Sequence, residues 1–414
     1  MFNQESLFTA ALMIKEPWYV KKVEFDKETG ELHIYIDFRA GSKFECPICG
    51  AEGLPVHDTH EKTWRHLNFF QYKAFIHFRN PRSKCPDHGI HLVSTPWGSG
   101  TGFTLLFEAL ILQLAMSMSV KKIAELVGEN DTRIWRLIQR HVNNSYAVED
   151  YSDVKKIGID ETASKRGHNY VTVFVDMDES KVIYATEGKD SETIKRFKEE
   201  MPYHNCNPQQ IENISSDMSP AFKKGCLENF PWAVVTFDKF HVIKLMNEAV
   251  DKVRRMEQKF EPDLKSTRFL WLYNQDNLKQ EQLEKLETLK NTNLKTAKAY
   301  QLKLTLQEIY ENATDRIEAM IILKKWYNWA VRCRLEPIVA FAKTLKNNWA
   351  GIINYFDTKL TNAVLEGINS IIQTVRSRAR GFRNIENFIA MIYLLAGKLT
   401  YNFSSNKWKF SGIN

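Results

Sequence analysis

Two aspartates follow short apolar runs in the middle of the chain, where they could bind a cation together. Asp160 comes directly after residues 157–159, and Asp217 follows residues 211–215. Taken singly, each is more typical of a helix cap or a turn, but acids at strand ends of an α/β sheet should approach each other. They would repel unless a cation lay between them, and Mg²⁺ prefers carboxylate oxygens. Spacing alone leaves the third ligand open among Glu161, Asp176, Asp238, Asp357 and Glu366.

Two short cysteine-containing turns near the N-terminus have the spacing of metal ligands. They are Cys46-Pro47-Ile48-Cys49-Gly50 and Cys85-Pro86-Asp87-His88-Gly89. A two-residue spacer lets both side chains reach one tetrahedral ion. The pattern predicts one structural Zn²⁺ held by Cys46, Cys49, Cys85 and His88, with His91 or His57 as alternatives to His88. A redox pair would need a βαβ context that the sequence lacks.

Residues 119–142 have the dimensions of a helix-turn-helix, with a turn at 128–130 and with Ser119 and Asp131 as expected caps. Arginine and glutamine can reach base edges in the major groove. The side chains expected to do so are Arg133, Arg136, Gln139 and Arg140. An ordinary amphipathic helix pair with a solvated face would give the same pattern. A second basic run fits phosphate contacts and comprises Arg376, Arg378, Arg380 and Arg383.

Hydrophobic periodicity indicates which elements must position these residues. Strict alternation predicts strands at 32–38 and 72–78, and helical spacing predicts helices between 104 and 142. From residue 155, three apolar segments are followed by α/β alternation, a pattern compatible with an RNase H-like core. Residues 241–358 and 361–400 have helical patterns.

Composition limits the class of protein. The chain has 414 residues, 43% of them hydrophobic, and a formal net charge of +7, which fits a folded protein with a polyanionic partner. No apolar run is long enough to span a membrane, and no signal peptide is expected. Six cysteines in a chain of this length favour a reducing cytoplasm over a disulfide framework. Glycine-rich nucleotide loops are absent, which argues against a metabolic enzyme.

Several short motifs, in order, resemble the insertion-sequence DDE transposases of the ISL-three family over nearly the whole chain. The cysteine turns, with Trp64-Arg65-His66-Leu67 between them, look like that family's zinc-binding domain. The resemblance continues in the blocks Ile159-Asp160-Glu161 with Gly167-His168-Asn169-Tyr170, Ser216-Asp217-Met218-Ser219, Asp238-Lys239-Phe240-His241, residues 361–369, and Arg380-Gly381-Phe382-Arg383-Asn384. Ala363 stands where the family usually has glycine.

This resemblance implies a catalytic triad of Asp160, Asp217 and Glu366 that holds two Mg²⁺ or Mn²⁺ ions, with Asp238 and His241 as supporting residues. It implies a DNA-cutting and DNA-joining enzyme that binds terminal inverted repeats and target DNA, as a homodimer, on the bacterial nucleoid. The alternatives are a non-catalytic regulator with a transposase-derived core and a nuclease that only hydrolyses DNA.

The expected architecture is therefore an α/β catalytic core, RNase H-like, with a large all-α insertion, preceded by a small zinc-binding β domain and a helix-turn-helix domain. The expected segments are 1–100 (zinc-binding), 101–148 (helix-turn-helix), 149–244 (first part of the core), 245–358 (helical insertion) and 359–414 (C-terminal helices of the core).

Overall fold

The computed structural model describes residues 3–98, 100–165, 167, 169–403 and 408–410. Contacts divide the chain into two compact units. The first runs to Ser145 and takes in residues 399–403 and 408–410, and the second spans Tyr146–Lys398. The division differs from the expected one, because the residues from Leu399 belong with the first unit and not with the core.

The chain forms the following elements. The strands are β1 (Trp18–Asp26), β2 (Glu31–Phe38), β3 (Lys43–Phe44), β4 (Leu54–Phe69), β5 (Tyr72–Cys85), β6 (Gly89–Leu92), β7 (Lys156–Ala163), β8 (Tyr170–Asp176), β9 (Lys181–Glu187), β10 (Asn213–Ser216), β11 (Val234–Phe237), β12 (Tyr401–Phe403) and β13 (Trp408–Phe410). The α-helices are α1 (Gln4–Ala11), α2 (Leu105–Ala115), α3 (Val120–Val127), α4 (Asp131–Tyr146), α5 (Ser191–Glu200), α6 (Pro220–Asn229), α7 (Lys239–Glu257), α8 (Arg268–Leu272), α9 (Gln280–Lys290), α10 (Lys295–Asn312), α11 (Arg316–Arg332), α12 (Glu336–Asn347), α13 (Trp349–Thr358), α14 (Ala363–Arg378) and α15 (Ile385–Ala396).

A twisted sheet with the order β1-β2-β5-β4-β3 forms the body of the first unit, and β6 pairs with β5 at its end. The strands expected at 32–38 and 72–78 are confirmed as β2 and the first half of β5. Alternation buries Leu32, Ile34 and Ile36 on one face, where they pack with Trp64 and Phe78. The sixteen-residue strand β4, which the sequence pattern did not reveal, carries the chain away from the first cysteine turn.

Helices α3 and α4 form at the expected place, but their caps differ from the expected ones. Gly128 ends α3 with φ 67°, a left-handed conformation that glycine adopts without a Cβ clash. Ser119 occupies the N-cap position of α3 without a side-chain cap hydrogen bond. At the start of α4, Asn130 and not Asp131 is the capping residue, since its Oδ1 accepts from the Thr132 amide at 2.8 Å.

Residues 400–403, which include β12, pack against α4. The Ser145 hydroxyl at the end of α4 donates to the Thr400 carbonyl at 2.9 Å, and the rings of His141 and Phe403 lie 5.0 Å apart. These contacts explain why the residues from Leu399 belong to the first unit.

The second unit contains a five-stranded mixed sheet with the order β11-β10-β7-β8-β9. Strands β7, β8 and β9 form antiparallel pairs, and β10 and β11 run parallel to β7. One face packs on α5 and α6, where Ile157 and Ile159 meet Ile194 and Phe222 in a buried cluster. On the other face, α14 contacts β7 and α15 contacts β9.

Helices α7 to α13 build an apolar core of their own beside the edge strand β11. Trp271, Tyr300 and Trp326 are buried in it together with Phe237 of β11. Helix α7 begins at Lys239 and continues without a break to Glu257. It therefore crosses the expected boundary at 244/245 and connects the sheet directly to the helical segment.

Candidate functional site

The alternation of β7 decides where Asp160 lies. Ile157 and Ile159 enter the cluster under α5 and α6, so Gly158 and Asp160 belong to the opposite face. That face is covered by α14, because a Cβ placed on Gly158 would lie 2.8 Å from a Leu365 methyl carbon. Strand β7 therefore presents Asp160 to α14, and the glycine two residues earlier lets the helix approach.

The sequence pattern indicated that Asp160 lies at a strand end. This expectation is wrong, because β7 continues beyond it. Pairing with β8 continues through Asp160 opposite Val173 and on to Ala163. The parallel partner β10 stops earlier, since its last pair with β7 joins Ser215 to Gly158. Asp160 thus lies just beyond the last residue of β7 that pairs with β10.

The second acid follows β10 in the turn that leads into α6. The Asp217 carboxylate is half-buried and accepts a hydrogen bond from the Ser219 amide at 2.9 Å. The register pairs Ser215 of β10 with Gly158 of β7, and Asp217 and Asp160 each follow that pair by two residues. The two aspartates that the sequence singled out therefore come together at one edge of the sheet.

The third acid, Glu366, is an exposed residue in the first turn of α14. Asn369 lies three residues further along, on the same side of the helix. Its Nδ2 donates a short hydrogen bond to Asp160 Oδ2. Glu366 is thus one helical turn from a side chain that contacts the first aspartate.

A buried polar network connects the start of α14 with the ends of β10 and β11. Asp238 is fully buried at the end of β11, where its Oδ1 accepts from the Asn362 amide at 3.3 Å. Its Oδ2 lies 3.3 Å from Nδ1 of His241 in the first turn of α7. The Asn362 Oδ1 accepts from the Ser215 hydroxyl at 2.6 Å. The network orients His241 and fixes the loop before Glu366.

The electrostatics of this site favour binding of a cation. Burial raises the pKa of Asp160 above its ordinary value, and burial also raises that of Glu161, with the charge of Asp217 adding to both. The pKa of His241 is raised, chiefly by its hydrogen bond to Asp238 and further by Asp217 and Asp160. The repulsion between these carboxylates falls when a divalent ion binds to them. The donors are hard oxygens of the kind that Mg²⁺ prefers.

The structure brings the four expected zinc ligands together. Sγ of Cys46, Cys49 and Cys85 and a ring nitrogen of His88 all lie within 4.8 Å of one another. The Cys49 and Cys85 sulfurs are 3.8 Å apart, which is about the S–S edge of a tetrahedron with Zn–S bonds of about 2.3 Å. Backbone amides of Cys49 and Ile48 lower the pKa of Cys46, so its thiolate is favoured.

The alternative ligands His57 and His91 lie outside this cluster of described residues. His91 instead donates from Nε2 to the His88 carbonyl at 2.6 Å, a contact that stabilises the second cysteine turn. Because four protein donors converge, an ion here would have a closed coordination shell with a structural role.

Two of the four expected DNA-reading side chains on α4 are held within the first unit. Arg140 Nη2 lies 2.7 Å from Oε1 of the fully buried Glu108. Arg133 Nη1 lies 2.6 Å from Glu129 Oε2, and its guanidinium covers the Phe103 ring at 4.1 Å. Arg136 is exposed, and Gln139 is half-buried. Arg136 is thus the more available basic side chain for a DNA groove.

The basic run near the end of α14 lies beside the end of β7. Arg376 Nη1 donates to the Ala163 carbonyl at 2.8 Å, and the Phe382 amide donates to the Ser164 carbonyl at 3.1 Å. Arg378, Arg380 and Arg383 are exposed. In the block 167–170 that contributed to the family resemblance, His168 lies outside the described residues.

Sequence reasoning missed Asn369, Asn362 and Glu108. The helical offset of three from Glu366 marked Asn369 as a neighbour, but only the packing of α14 on β7 reveals its partner. Glu108 interrupted an otherwise apolar helix, and a buried acid of that kind requires a cation partner. Arg140 and His141 of α4 provide it.

An acid-lined α/β core in the same chain as a cysteine–histidine metal cluster and a basic helix pair defines a DNA-processing enzyme. A transposase model matches residues 157–392. Models of the helix-turn-helix domain of transposase family ISL3 and of the zinc-finger of the IS204, IS1001, IS1096 and IS1165 transposases match residues 98–142 and 42–88.

Curated relatives agree with these matches. The chain is 26% identical to the transposase for insertion sequence element IS1557 of Mycobacterium tuberculosis, over 94% of this chain and 95% of that one. It is 28% identical to the transposase for insertion sequence element IS1001 of Bordetella parapertussis, over 90% of this chain and 94% of that one.

The chain belongs to the ISL3 (ISL-three) family of insertion-sequence transposases, and the family expected from the motifs is confirmed. It is a DDE transposase with a helix-turn-helix domain for binding element DNA. Among the described residues, no helix is long and apolar enough to cross a membrane.

Proposed function

We propose that Asp160, Asp217 and Glu366 are the three catalytic carboxylates, and that with two Mg²⁺ or Mn²⁺ ions they cut and join DNA at the terminal inverted repeats of an insertion sequence. The observation that carries this proposal is the packing of α14 on β7. Leu365 fits over Gly158, Asn369 bonds to Asp160, and Glu366 lies one turn away. This packing supports a site in which Glu366 joins the two aspartates, although the three acids are distant in the sequence.

We propose an RNase H-like fold for the core. The order β11-β10-β7-β8-β9, with three antiparallel strands first in the chain and two parallel strands after them, supports this assignment. In this scheme the helices between the second and third acids are an insertion. Their separate apolar core supports that interpretation.

Asp160, Asp217 and Glu366 would together hold the metal ions. Bound ions supply activation of the attacking oxygen and stabilisation of the leaving oxygen of the phosphodiester. The Asn369 amide holds Asp160 in place through its Oδ2. His241, oriented by its hydrogen bond with Asp238, would contact a DNA phosphate.

For DNA recognition we propose that Arg136 and Gln139 read base edges, while Arg378, Arg380 and Arg383 contact phosphates. Arg133, Arg140 and Arg376 would contribute positive charge from the positions where they contact Glu129, Glu108 and the Ala163 carbonyl. One Zn²⁺ would hold the two cysteine turns together. Because both ends of an element must be brought together, we propose a homodimer in the DNA complex.

A nicking assay on supercoiled DNA that carries the element ends tests the catalytic assignment. Asp160→Asn should lower Mg²⁺-dependent nicking by at least about a hundredfold, because even outer partners of metal ligands cost 10–100-fold. Binding to the same DNA should persist. Asp357→Asn is the matched control, because Asp357 is an exposed acid paired with Arg316 and was open as a ligand on spacing alone.

The proposal fails if Asp160→Asn retains Mg²⁺-dependent nicking, or if Asp357→Asn loses nicking to the same extent. Joined products in the wild-type reaction separate strand transfer from hydrolysis alone. Only nicked or linear DNA, with no joined product under any divalent metal, would contradict the transposition step.

A further inference from the structure

An open cleft lies along the exposed side of α7 and reaches α8. Its volume is about 730 Å³, and its lining begins at Phe240 and extends to Arg255 and Arg268. Between these ends lie Lys244 and Lys252. Positions 240, 244, 248, 252 and 255 recur at helical spacing, so they form one continuous stripe on α7. At about 1.5 Å rise per residue the stripe is roughly 22 Å long.

The cleft has an excess of positive charge. Its lining carries five basic side chains and two acidic ones, Glu248 and Asp251. The helical segment thus presents a basic groove on the outside of its apolar core. Such a groove fits an extended polyanion.

A single buried carboxylate organises the far end of the cleft. Asp251 Oδ1 accepts from Nε and Nη2 of the buried Arg254 at 2.9 and 2.7 Å. Its Oδ2 lies 3.4 Å from Arg255 Nε and 3.6 Å from Arg268 Nε. The single negative charge of Asp251 therefore interacts with three guanidinium groups from two helices. Their combined charge exceeds it by two.

Arg255 and Arg268 differ from Arg254 in how their donors are used. Arg254 is buried, and its third nitrogen donates to Gln258 Oε1 at 2.5 Å. The side chains of Arg255 and Arg268 are 63% and 58% exposed, which leaves their outer Nη groups open to solvent. Guanidinium groups held in this way match the oxygens of a phosphate.

The near end of the cleft adjoins the proposed active site. Phe240 is exposed and precedes His241, whose Nδ1 lies 3.3 Å from Asp238 Oδ2. Asp238 in turn accepts from the amide of Asn362, four residues before Glu366. Helix α7 therefore leads from the acids to the Arg255–Arg268 pair. A DNA strand with its scissile phosphate at the acids has a positively charged path along this helix.

We infer that the α7–α8 cleft binds the phosphate backbone of the duplex DNA that flanks the scissile phosphate, with Arg255 and Arg268 as two of its phosphate contacts. The position next to the cut rests on the proposed active site, whereas the DNA-binding surface itself does not. The inference gives the helical segment a role in holding substrate.

Salt-dependent binding of the full-length protein to a labelled duplex tests the surface without catalysis. The measurement is made without divalent metal, so the catalytic assignment does not enter. Each lost phosphate contact reduces the slope of log K against log[salt] by about 0.9. Arg255→Gln with Arg268→Gln should therefore reduce the slope by about 1.8. Arg255→Lys with Arg268→Lys should retain most of the slope, since it preserves both charges.

The matched control is Arg332→Gln with Lys343→Gln, which removes two exposed charges from α11 and α12, outside the cleft. Its slope should stay near that of the wild type. The inference is overturned if both glutamine pairs change the slope equally, if neither changes it, or if the lysine pair falls as far as the glutamine pair. Thermal melting checks that each variant is folded.

Cross-linking tests the position of the cleft relative to the cut. Benzoylphenylalanine in place of Phe240 should cross-link to nucleotides beside the nick, whereas the same group in place of Phe260, which is 83% exposed and outside the cleft, should not. A cross-link far from the nick, with the slope change intact, would refute the proposed active site and leave the DNA surface standing. No cross-link at Phe240 together with an unchanged slope would refute the surface itself.

Discussion

Replacing Gly158 by alanine should move the helix that carries Glu366. A Cβ at this position would lie 2.6 Å from the Met177 sulfur and 2.8 and 3.0 Å from the two Leu365 methyl carbons. Ordinary carbon contacts are about 3.5–4.0 Å, so the overlap with Leu365 is about 0.5–1 Å. Leu365 is buried, so moving its methyl carbons also displaces the side chains packed around it. We expect α14 to shift outward by a similar distance.

The cost of this shift follows from what α14 positions. Overpacking of a filled core costs about 1–3 kcal/mol, so the second unit should melt at a lower temperature. The shift also separates Asn369 from Asp160 and displaces Glu366. Because a misplacement of about 1 Å can lower a reaction rate by about a hundredfold, nicking by Gly158→Ala should fall by roughly 10–100-fold.

Gly367→Ala on the same helix is the control. Nothing lies within 4 Å of a Cβ at Gly367, and alanine is favoured over glycine in a helix by about 0.5–1 kcal/mol. This variant should retain nicking and melt at the same temperature or higher. Wild-type nicking and melting in Gly158→Ala, or equal loss in both variants, would refute the packing of α14 on β7 as the feature that sets the site.

Three further outcomes are expected. Burial lowers the pKa of Lys303 to about 8 from 10.5, so the unfolded chain binds the proton more tightly. The free energy of unfolding should therefore rise by up to ~3 kcal/mol between about pH 8 and 10.5, and Lys303→Met should remove that rise in denaturant titrations. Cys49→Ser should lower the zinc content measured by atomic absorption and weaken binding to element ends. Mg²⁺-dependent nicking of nonspecific DNA should persist. An undiminished zinc content would exclude Cys49 as a ligand. Arg136→Ala should weaken DNA binding without lowering the melting temperature. Arg140→Ala should destabilise the first unit by about 1–3 kcal/mol, because the buried Glu108 loses one partner and keeps His141 and Thr101. The reverse pattern would contradict these roles.

Local sequence patterns predicted which strands and helices form. They predicted less well the residues at which these elements end. Strict alternation predicted β2, and the glycine at 128 marked the turn between α3 and α4. Strand β7 extends past Asp160 because β8 pairs with it, and a partner strand cannot be deduced from the apolar run at 157–159. The membership of the residues from Leu399 in the first unit depends likewise on long-range contacts with α4.

The candidate site was predictable where ligand spacing is local and only partly predictable elsewhere. The two cysteine turns carry their own geometry, so the cluster of Cys46, Cys49, Cys85 and His88 followed from the sequence. Periodicity could not select Glu366 among five acids, and the family resemblance supplied it. The contact between Asn369 and Asp160 joins residues 209 positions apart, and it exists only because Gly158 admits α14.

Iron-directed cleavage tests most directly whether the three acids share one metal site. Fe²⁺ in place of Mg²⁺, with ascorbate and peroxide, generates radicals that cut the polypeptide beside the bound ion. Mass spectrometry should locate cuts near residues 160, 217 and 366 in the same preparation, and excess Mg²⁺ or Asp160→Asn should suppress all three. Cuts near the two aspartates with none near Glu366, with or without bound DNA, would contradict the account.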